Sequence, residues 1–376
     1  MVSLDVFARE KLARTREQSQ LRHLQEVPSA ALNFCSNDYL GLAGDARLKA
    51  ASIEATERYG VGAGASRLVT GNHPLYRQCE QQIASLKGTK SALVFGAGYL
   101  ANLGTIPALV GEGDLIVADE LSHACMLSGA KLSGAHVALF RHNDVNQAED
   151  VLSNLRDRAK NCLLLTEGVF SMDGDLAPLA DLSLLGRRFD AWLMTDDAHG
   201  LGVVGGGKGS AFAMGVKPDL QMGTLSKAVG AYGGYVAGDE AVISYLVNRA
   251  RSFVYSTGLP PGVVAAASAG LDIISREPET CALPVKNATV FCEHVGLPAP
   301  QSAIVPLIVG DSERALQAAT LLLEAGYLVK AIRPPTVPDG TARLRFTFTA
   351  LQRRDEILRL AEIVQSSVLP IVGPNR

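Results

Sequence analysis

Residues 192–200 read Trp192-Leu193-Met194-Thr195-Asp196-Asp197-Ala198-His199-Gly200, and residues 220–228 read Leu220-Gln221-Met222-Gly223-Thr224-Leu225-Ser226-Lys227-Ala228. Each opens on a short, mainly apolar run and ends in polar and small residues. Runs of this length, bounded by turn residues, fit buried strands better than helices. Similar runs stand at 92–95, 115–118, 137–140 and 162–166, and helical-length segments separate most of them. The alternation predicts an α/β fold, a mainly parallel central sheet with helices on both faces. Ligands of such sheets bind outside the carboxyl ends of the strands. Ser171, Asp196 and Thr224 each follow an apolar run and are expected to share one crevice.

Lys227 gives that crevice a chemistry. A lysine flanked by small residues can approach a flat ligand closely, and an acidic residue ending an earlier strand can pair with a cation in the same place. Together Lys227 and Asp196 suggest a Schiff base to pyridoxal phosphate, with a carboxylate on the pyridine nitrogen. Gly96-Ala97-Gly98-Tyr99 follows the run at 92–95 and opens a helix through 101–109. The free N–H groups of a helix start bind phosphate well; a plain strand-to-helix turn is the other reading. His123 begins a further helix, where its ring could stack on a cofactor or simply face solvent. His199 lies three residues after Asp196 and can reach the same ligand. A metal site would need a third ligand at fitting spacing, and none is evident.

Two glycine-rich stretches are set aside. Gly202-Val203-Val204-Gly205-Gly206-Gly207-Lys208 looks like a phosphate loop, but Gly209 stands where a magnesium-binding Ser or Thr belongs, and no strand-to-helix setting surrounds it. Gly60, Gly62 and Gly64 do not spell a dinucleotide fingerprint and are expected to form a flexible loop.

The 376 residues can bury a large core and divide into one large and one smaller domain. A net charge of −3 gives no basic field, so nucleic acid is not an expected partner. No apolar run approaches the roughly 20 residues that span a bilayer, and the most apolar stretch, 262–269, is short and Ala-rich. No signal peptide is apparent, since Asp5, Arg9, Glu10, Lys11, Arg14 and Arg16 replace any apolar core. The six cysteines are irregularly spaced, with Cys79 and Cys162 in apolar patterns, so free buried thiols and a cytoplasmic protein are expected. Residues 4–25 read as a charged surface or docking helix, 31–34 as a short strand, and Pro74 to Gly88 as a capped helix. Residues 284–300 read as a connection into a small α+β region with strands at 304–309 and 344–347. Expected boundaries are 1–45 for an N-terminal segment, 46–282 for the large domain and 283–376 for the small one.

Taken as an ordered set, the segments 37–41, 64–71, 98–102, 122–123, 167–175, 196–200, 224–227, 255–260 and 332–338 resemble the α-oxoamine synthase family of fold-type I pyridoxal phosphate enzymes. The resemblance spans nearly the whole chain and implies an aspartate aminotransferase-like fold. By the same resemblance Lys227 joins the cofactor, Asp196 pairs with its ring nitrogen, His123 stacks on the ring, and His199 and Ser171 address the ring oxygen. Thr224 and the backbone at Gly98 and Tyr99 meet the phosphate. Ser256 and Thr257 reach it from a neighbouring subunit, which implies a homodimer with shared active sites.

The implied activity is that of an acyltransferase of biotin biosynthesis, a decarboxylative condensation of L-alanine with a pimeloyl thioester carried on coenzyme A or on an acyl carrier protein. Arg333 matches the family arginine for the amino-acid carboxylate, and its planar fork suits bidentate binding. Asn37 is expected near the reacting substrate. Arg14, Arg22 and Arg345 are candidates for the far carboxylate of the acyl chain. Ser226 departs from the pattern, because glycine is common before the lysine in that branch. A glycine- or serine-using member, glycine C-acetyltransferase first among them, is therefore the alternative, and a non-catalytic subunit is disfavoured by the retained Lys227, Asp196 and His123.

Overall fold

The computed structural model describes residues 2–17, 20–22, 24 and 26–372. The apolar runs of the central region lie side by side in one seven-stranded sheet. In spatial order its strands are Ser91–Phe95, Gly234–Gly238, Leu220–Thr224, Trp192–Asp196, Cys162–Glu167, Leu115–Asp119 and His136–Phe140. Only Gly234–Gly238 is reversed, pairing antiparallel with both of its neighbours. That strand is missing from the expected set because glycines close both of its ends, and glycine weakens the strand signal. Its pairing comes from the two strands that enclose it.

Side chains alternate along each strand and so divide the core. Ala92 and Val94 pack with Ile83, Val264 and Leu271 of helices Pro74–Lys87 and Pro261–Arg276. Leu93 and Phe95 pack with Ala101, Ile106 and Met126 of helices Gly98–Leu109 and Ala124–Ser133. The Ala-rich stretch at 262–269 lies within Pro261–Arg276, where small residues allow close helix contact. A Cβ on Gly262 would stand 2.5 Å from Thr56 Oγ1 on helix Ala46–Tyr59. All six cysteines are free, and Cys79 and Cys162 are buried. Among the described residues no helix is long and apolar enough to cross a membrane.

A three-stranded antiparallel sheet of Lys330–Ile332, Ala342–Thr347 and Ile304–Gly310 forms a second centre. The expected connection at 284–300 is instead mostly helix, Pro278–Val295, with Pro284 inside it. Proline removes one backbone hydrogen bond, but Ala288, Phe291, Cys292 and Val295 recur at helical spacing and are buried against the small sheet. The helix passes through residue 283, where the second domain was expected to begin. Leu32–Asn33 pairs in parallel with Tyr327–Leu328, and Phe34 packs on Phe348 and Tyr327. The early chain thus joins the core of the small sheet. The charged N-terminal stretch is helical over Leu4–Glu17 and buries no side chain. The part of the expected helix at 18, 19, 23 and 25 lies outside the described residues, and residues 20–22 are not helical.

The glycine segment after Gly200 wraps a buried ion pair. Lys87 Nζ donates to Asp197 Oδ2 and to the Lys208 carbonyl, each at 2.7 Å. Both paired side chains are 1% exposed. Ser210 Oγ also donates to Asp197, at 2.7 Å. A Cβ on Gly209 would stand 1.8 Å from Asp197 Oδ2, and one on Gly200 would stand 2.0 Å from Oδ1. Here the glycines make room for charge and not for a nucleotide. Removing one partner of such a pair leaves an uncompensated buried charge. Lys87→Met is therefore expected to destabilise the protein by about 3–5 kcal/mol, read as a lower urea midpoint. An unchanged midpoint would refute the importance of the pair.

Candidate active site

Six of the seven central strands point their carboxyl ends to one edge of the sheet, and the loops beyond that edge hold the expected groups. A cavity of about 230 Å³ there is lined by Gly98, Tyr99, His123, Asp196, His199, Thr224 and Lys227, together with Cys125, Glu167 and Ser226. The structure thus brings seven of the expected site residues to one cavity. A larger cleft of about 530 Å³, lined by Arg67, His73, Arg77 and Glu80 among others, contains none of them.

Asp196 ends its strand on the cavity floor and is 4% exposed. Its Oδ2 accepts from Asn102 Nδ2 at 2.8 Å, and its Oδ1 accepts from the Ala198 N–H at 3.0 Å. Lys227 Nζ stands 2.6 Å from His199 Nε2. Burial pulls the Lys227 pKa down to about 8, against the opposing pull of Asp196. Burial, then the Lys227 and Arg345 charges, hold His199 well below the ordinary histidine range. The far ring nitrogen of His199 is 2.6 Å from the hydroxyl of Tyr39, whose burial raises its own pKa. His199 is thus a neutral ring clamped between a tyrosine and the lysine.

His123 caps helix Ala124–Ser133. Its Nδ1 accepts from the Cys125 N–H at 3.2 Å and lies 2.8 Å from Cys125 Sγ. Desolvation lowers the His123 pKa, and burial pushes the Cys125 thiol up to about 12. A neutral imidazole beside a protonated thiol suits stacking on a cationic ring.

At the opposite wall, helix Gly98–Leu109 starts with no side-chain cap on its first turn. Thr224 Oγ1 donates to the Gly233 carbonyl at 2.8 Å and lies 2.7 Å from Ser226 Oγ. A Cβ on Gly234 would stand 2.5 Å from the Gly98 nitrogen, so only glycine lets the helix start approach this closely. An amine, a buried carboxylate, a neutral histidine and an open helix N-terminus form the donor set that pyridoxal phosphate requires.

The remaining expected residues lie outside the cavity lining. Ser171 donates its N–H to Glu167 Oε2 at 3.2 Å, and its carbonyl accepts from Arg345 Nε at 2.6 Å. Arg345 is buried, and its Nη1 donates to Asn37 Oδ1 at 3.3 Å. Arg22 Nη2 donates to Thr336 Oγ1 at 2.8 Å, which places it on the loop that carries Arg333. Arg14 is exposed on the N-terminal helix. Ser256 and Thr257 line a separate narrow cleft with Arg67 and Phe95. Sequence reasoning gave no role to Tyr39, Asn102, Cys125 or the Glu167 side chain. Asn102 and Glu167 fall inside segments that it singled out, but nothing in one dimension shows which way they face.

The loops bearing His123 and Ser171 are tied by two adjacent residues, His142 and Asn143. His142 places Nδ1 3.2 Å from Asp119 Oδ1 and Nε2 2.8 Å from Asp175 Oδ2. Asn143, at φ 57°, donates its N–H to Asp119 and its amide to Asp175, both at 2.8 Å.

The comparisons with known proteins agree with this geometry. The model of the class I and II aminotransferase family matches residues 29–364. A putative 8-amino-7-oxononanoate synthase of Parvibaculum lavamentivorans is 54% identical, over 98% of either chain. The 8-amino-7-oxononanoate synthase of Methylocella silvestris is 56% identical over 92% of this chain and 99% of its own. The chain belongs to the class I and II aminotransferase family, in its 8-amino-7-oxononanoate synthase branch. Among solved structures, the serine palmitoyltransferase of Sphingomonas wittichii superposes with a TM-score of 0.89 at 30% identity, covering 97% of this chain and 98% of its own. The 8-amino-7-oxononanoate synthase of Francisella tularensis gives 0.78 at 28% identity, covering 91% and 98%. This family membership fits an α/β enzyme whose lysine stands at the carboxyl edge of the sheet.

Two outcomes are expected. Gly234→Ala must push the helix start away, so cofactor-free protein should bind pyridoxal phosphate about tenfold more weakly in a fluorescence titration. Unaltered affinity would argue against the phosphate site. For His142, burial alone would lower the pKa, but hydrogen bonds to Asp119 and Asp175 and their charges raise it from 6.5 to about 10. A raised folded-state pKa stabilises fully below the unfolded value and is lost as pH rises through the folded one. The difference in thermal midpoint between the wild type and His142→Phe should therefore be largest below pH 6.5 and shrink toward pH 10. A difference that is constant with pH would contradict the paired, charged ring.

Proposed function

We propose that the protein is a pyridoxal phosphate-dependent acyltransferase that joins L-alanine to a pimeloyl thioester, with loss of carbon dioxide and free thiol. The observation that carries this reading is the buried Lys227 amine, poised beside His199 in a cavity floored by Asp196. The carbon count agrees with the relatives' name. A nine-carbon 8-amino-7-oxo acid is the seven-carbon acyl chain plus the two carbons that alanine keeps after decarboxylation. The thioester carrier is coenzyme A or an acyl carrier protein.

When bound, pyridoxal phosphate supplies a protonated ring that takes up the electron pair left on the substrate α carbon. The chain's own residues do the rest. Asp196 pairs with the ring nitrogen. The open first turn at Gly98 and Tyr99, with Thr224, receives the phosphate. His123 covers the ring, and His199 and Ser171 address its oxygen. Lys227, with its pKa near 8, has an appreciable neutral fraction at physiological pH and can accept the α proton. Tyr39 holds His199, which in turn orients the lysine.

Two carboxylates need two cations. Arg345 is buried and close enough to depress the pKa of both Lys227 and His199. Its Nη2 is buried and has no hydrogen-bond partner among the described residues. Beside Asn37, it suits the alanine carboxylate at the reacting centre. The distal carboxylate lies six carbons from the reacting carbonyl, which suits the outer arginines, Arg333 and Arg22. Arg333, expected at the alanine carboxylate, remains the alternative cation for it.

The active unit is a homodimer. Exposed Val61, Val69 and Tyr255 support a covering partner beside the cleft of Ser256 and Thr257. In the dimer these two residues serve the neighbour's phosphate.

The test is thiol release from pimeloyl-CoA by cofactor-loaded protein. Release should depend on L-alanine and vanish in Lys227→Ala. Release from acetyl-CoA with glycine instead would replace this reading with glycine C-acetyltransferase. Arg345→Ala should raise KM for alanine, and Arg333→Ala should raise KM for the acyl thioester; the reverse pattern would exchange the two arginines.

A further inference from the structure

Glu167 lines the same cavity and has no part in the roles above. It ends its strand in register with Asp196 of the next strand, so the two carboxyls sit side by side at the sheet edge. Both are buried, Glu167 to 3% exposure. Their surroundings differ. Each oxygen of Asp196 receives an N–H donor, from Asn102 and from Ala198. Glu167 Oε2 receives the backbone N–H of Ser171 at 3.2 Å, yet its Oε1 is fully buried and has no hydrogen-bond partner among the described residues. A bare carboxylate oxygen in that position is costly. An O–H in the same place is a donor that awaits an acceptor. Two adjacent buried anions would also repel each other.

We propose that Glu167 is a neutral carboxylic acid that donates a hydrogen bond from Oε1 into the cofactor cavity, leaving Asp196 the one anion that faces the cofactor. The charged and titratable groups around it are Asp196, Lys227, His123 and Cys125. Burial and Asp196 raise its pKa well above the usual carboxylate range, and Lys227 opposes them only in part. The role is distinct from that of Asp196. One carboxyl stabilises positive charge on the ring nitrogen, and the other supplies a proton for hydrogen bonding without adding a second negative charge.

The test uses the full-length protein and needs no turnover, so it stands apart from the choice of substrates. Infrared spectra of the cofactor-free protein at neutral pH should show the carbonyl stretch of a protonated acid that is absent in Glu167→Gln. Adding pyridoxal phosphate should shift that band to lower frequency as the new hydrogen bond forms. In binding titrations Glu167→Gln keeps a neutral donor and should hold pyridoxal phosphate within about threefold of the wild type, whereas Glu167→Ala should bind about tenfold more weakly. A wild-type spectrum without the band, or a band that persists in Glu167→Gln, overturns the proposal. So does a Gln variant as weak as the Ala variant, because the cavity would then be using an anion.

Discussion

Burying a carboxylate is expensive unless donors or a cation surround it, and strand Trp192–Asp196 delivers two in succession at the sheet edge. Asp196 faces the cavity and takes its donors from Asn102 and from the turn at Ala198. Asp197 faces the other way, into Lys87 and Ser210. Each solution fixes neighbouring structure. Asn102 must come from helix Gly98–Leu109, which sets the position of the open helix start. Lys87 must come from the end of helix Pro74–Lys87, and the glycine turn after Gly200 must fold without side chains around the pair.

The same low-dielectric setting determines the chemistry of Lys227. A surface lysine is protonated at physiological pH, and an amine that accepts a proton must first be made less basic. Burial supplies that shift, while Asp196 limits it. His199 is held neutral by burial and by the lysine itself, so the Tyr39–His199–Lys227 chain positions the amine without contributing a competing charge. Arg345 adds positive potential from behind the Asn37 loop, which favours an arriving carboxylate and further disfavours the ammonium form.

Backbone placement matters as much as side chains. The reversed strand Gly234–Gly238 brings Gly234 against the Gly98 nitrogen, an approach that any side chain would block. The two loops facing the cavity from the other side are tied by His142 and Asn143 between Asp119 and Asp175. The site is therefore built from rigid strand ends and cross-linked loops, which suits a reaction that depends on holding two substrates in one orientation.

The sequence by itself determined the elements whose signal is local. Short apolar runs gave six of the central strands, Pro74 and Gly88 bracketed a helix, and the polar residues closing the runs pointed to Asp196, Thr224 and Lys227 as neighbours. Those features survive because strand alternation, capping and the placement of ligands at strand ends are rules of local geometry. The reversed strand escaped because its pairing is enforced by neighbours rather than by its own residues. Helix Pro278–Val295 escaped because Pro284 reads as a break, whereas burial of Phe291 and its row outweighs one lost hydrogen bond. Only the tertiary structure decided that Tyr39 reaches His199 from far along the chain, that Arg345 is buried while Arg22 lies over the Thr336 loop, and that Glu167 stands beside Asp196 with its Oε1 unpartnered among the described residues. Those contacts join residues distant in sequence, and their partners are chosen by packing, which no local pattern encodes.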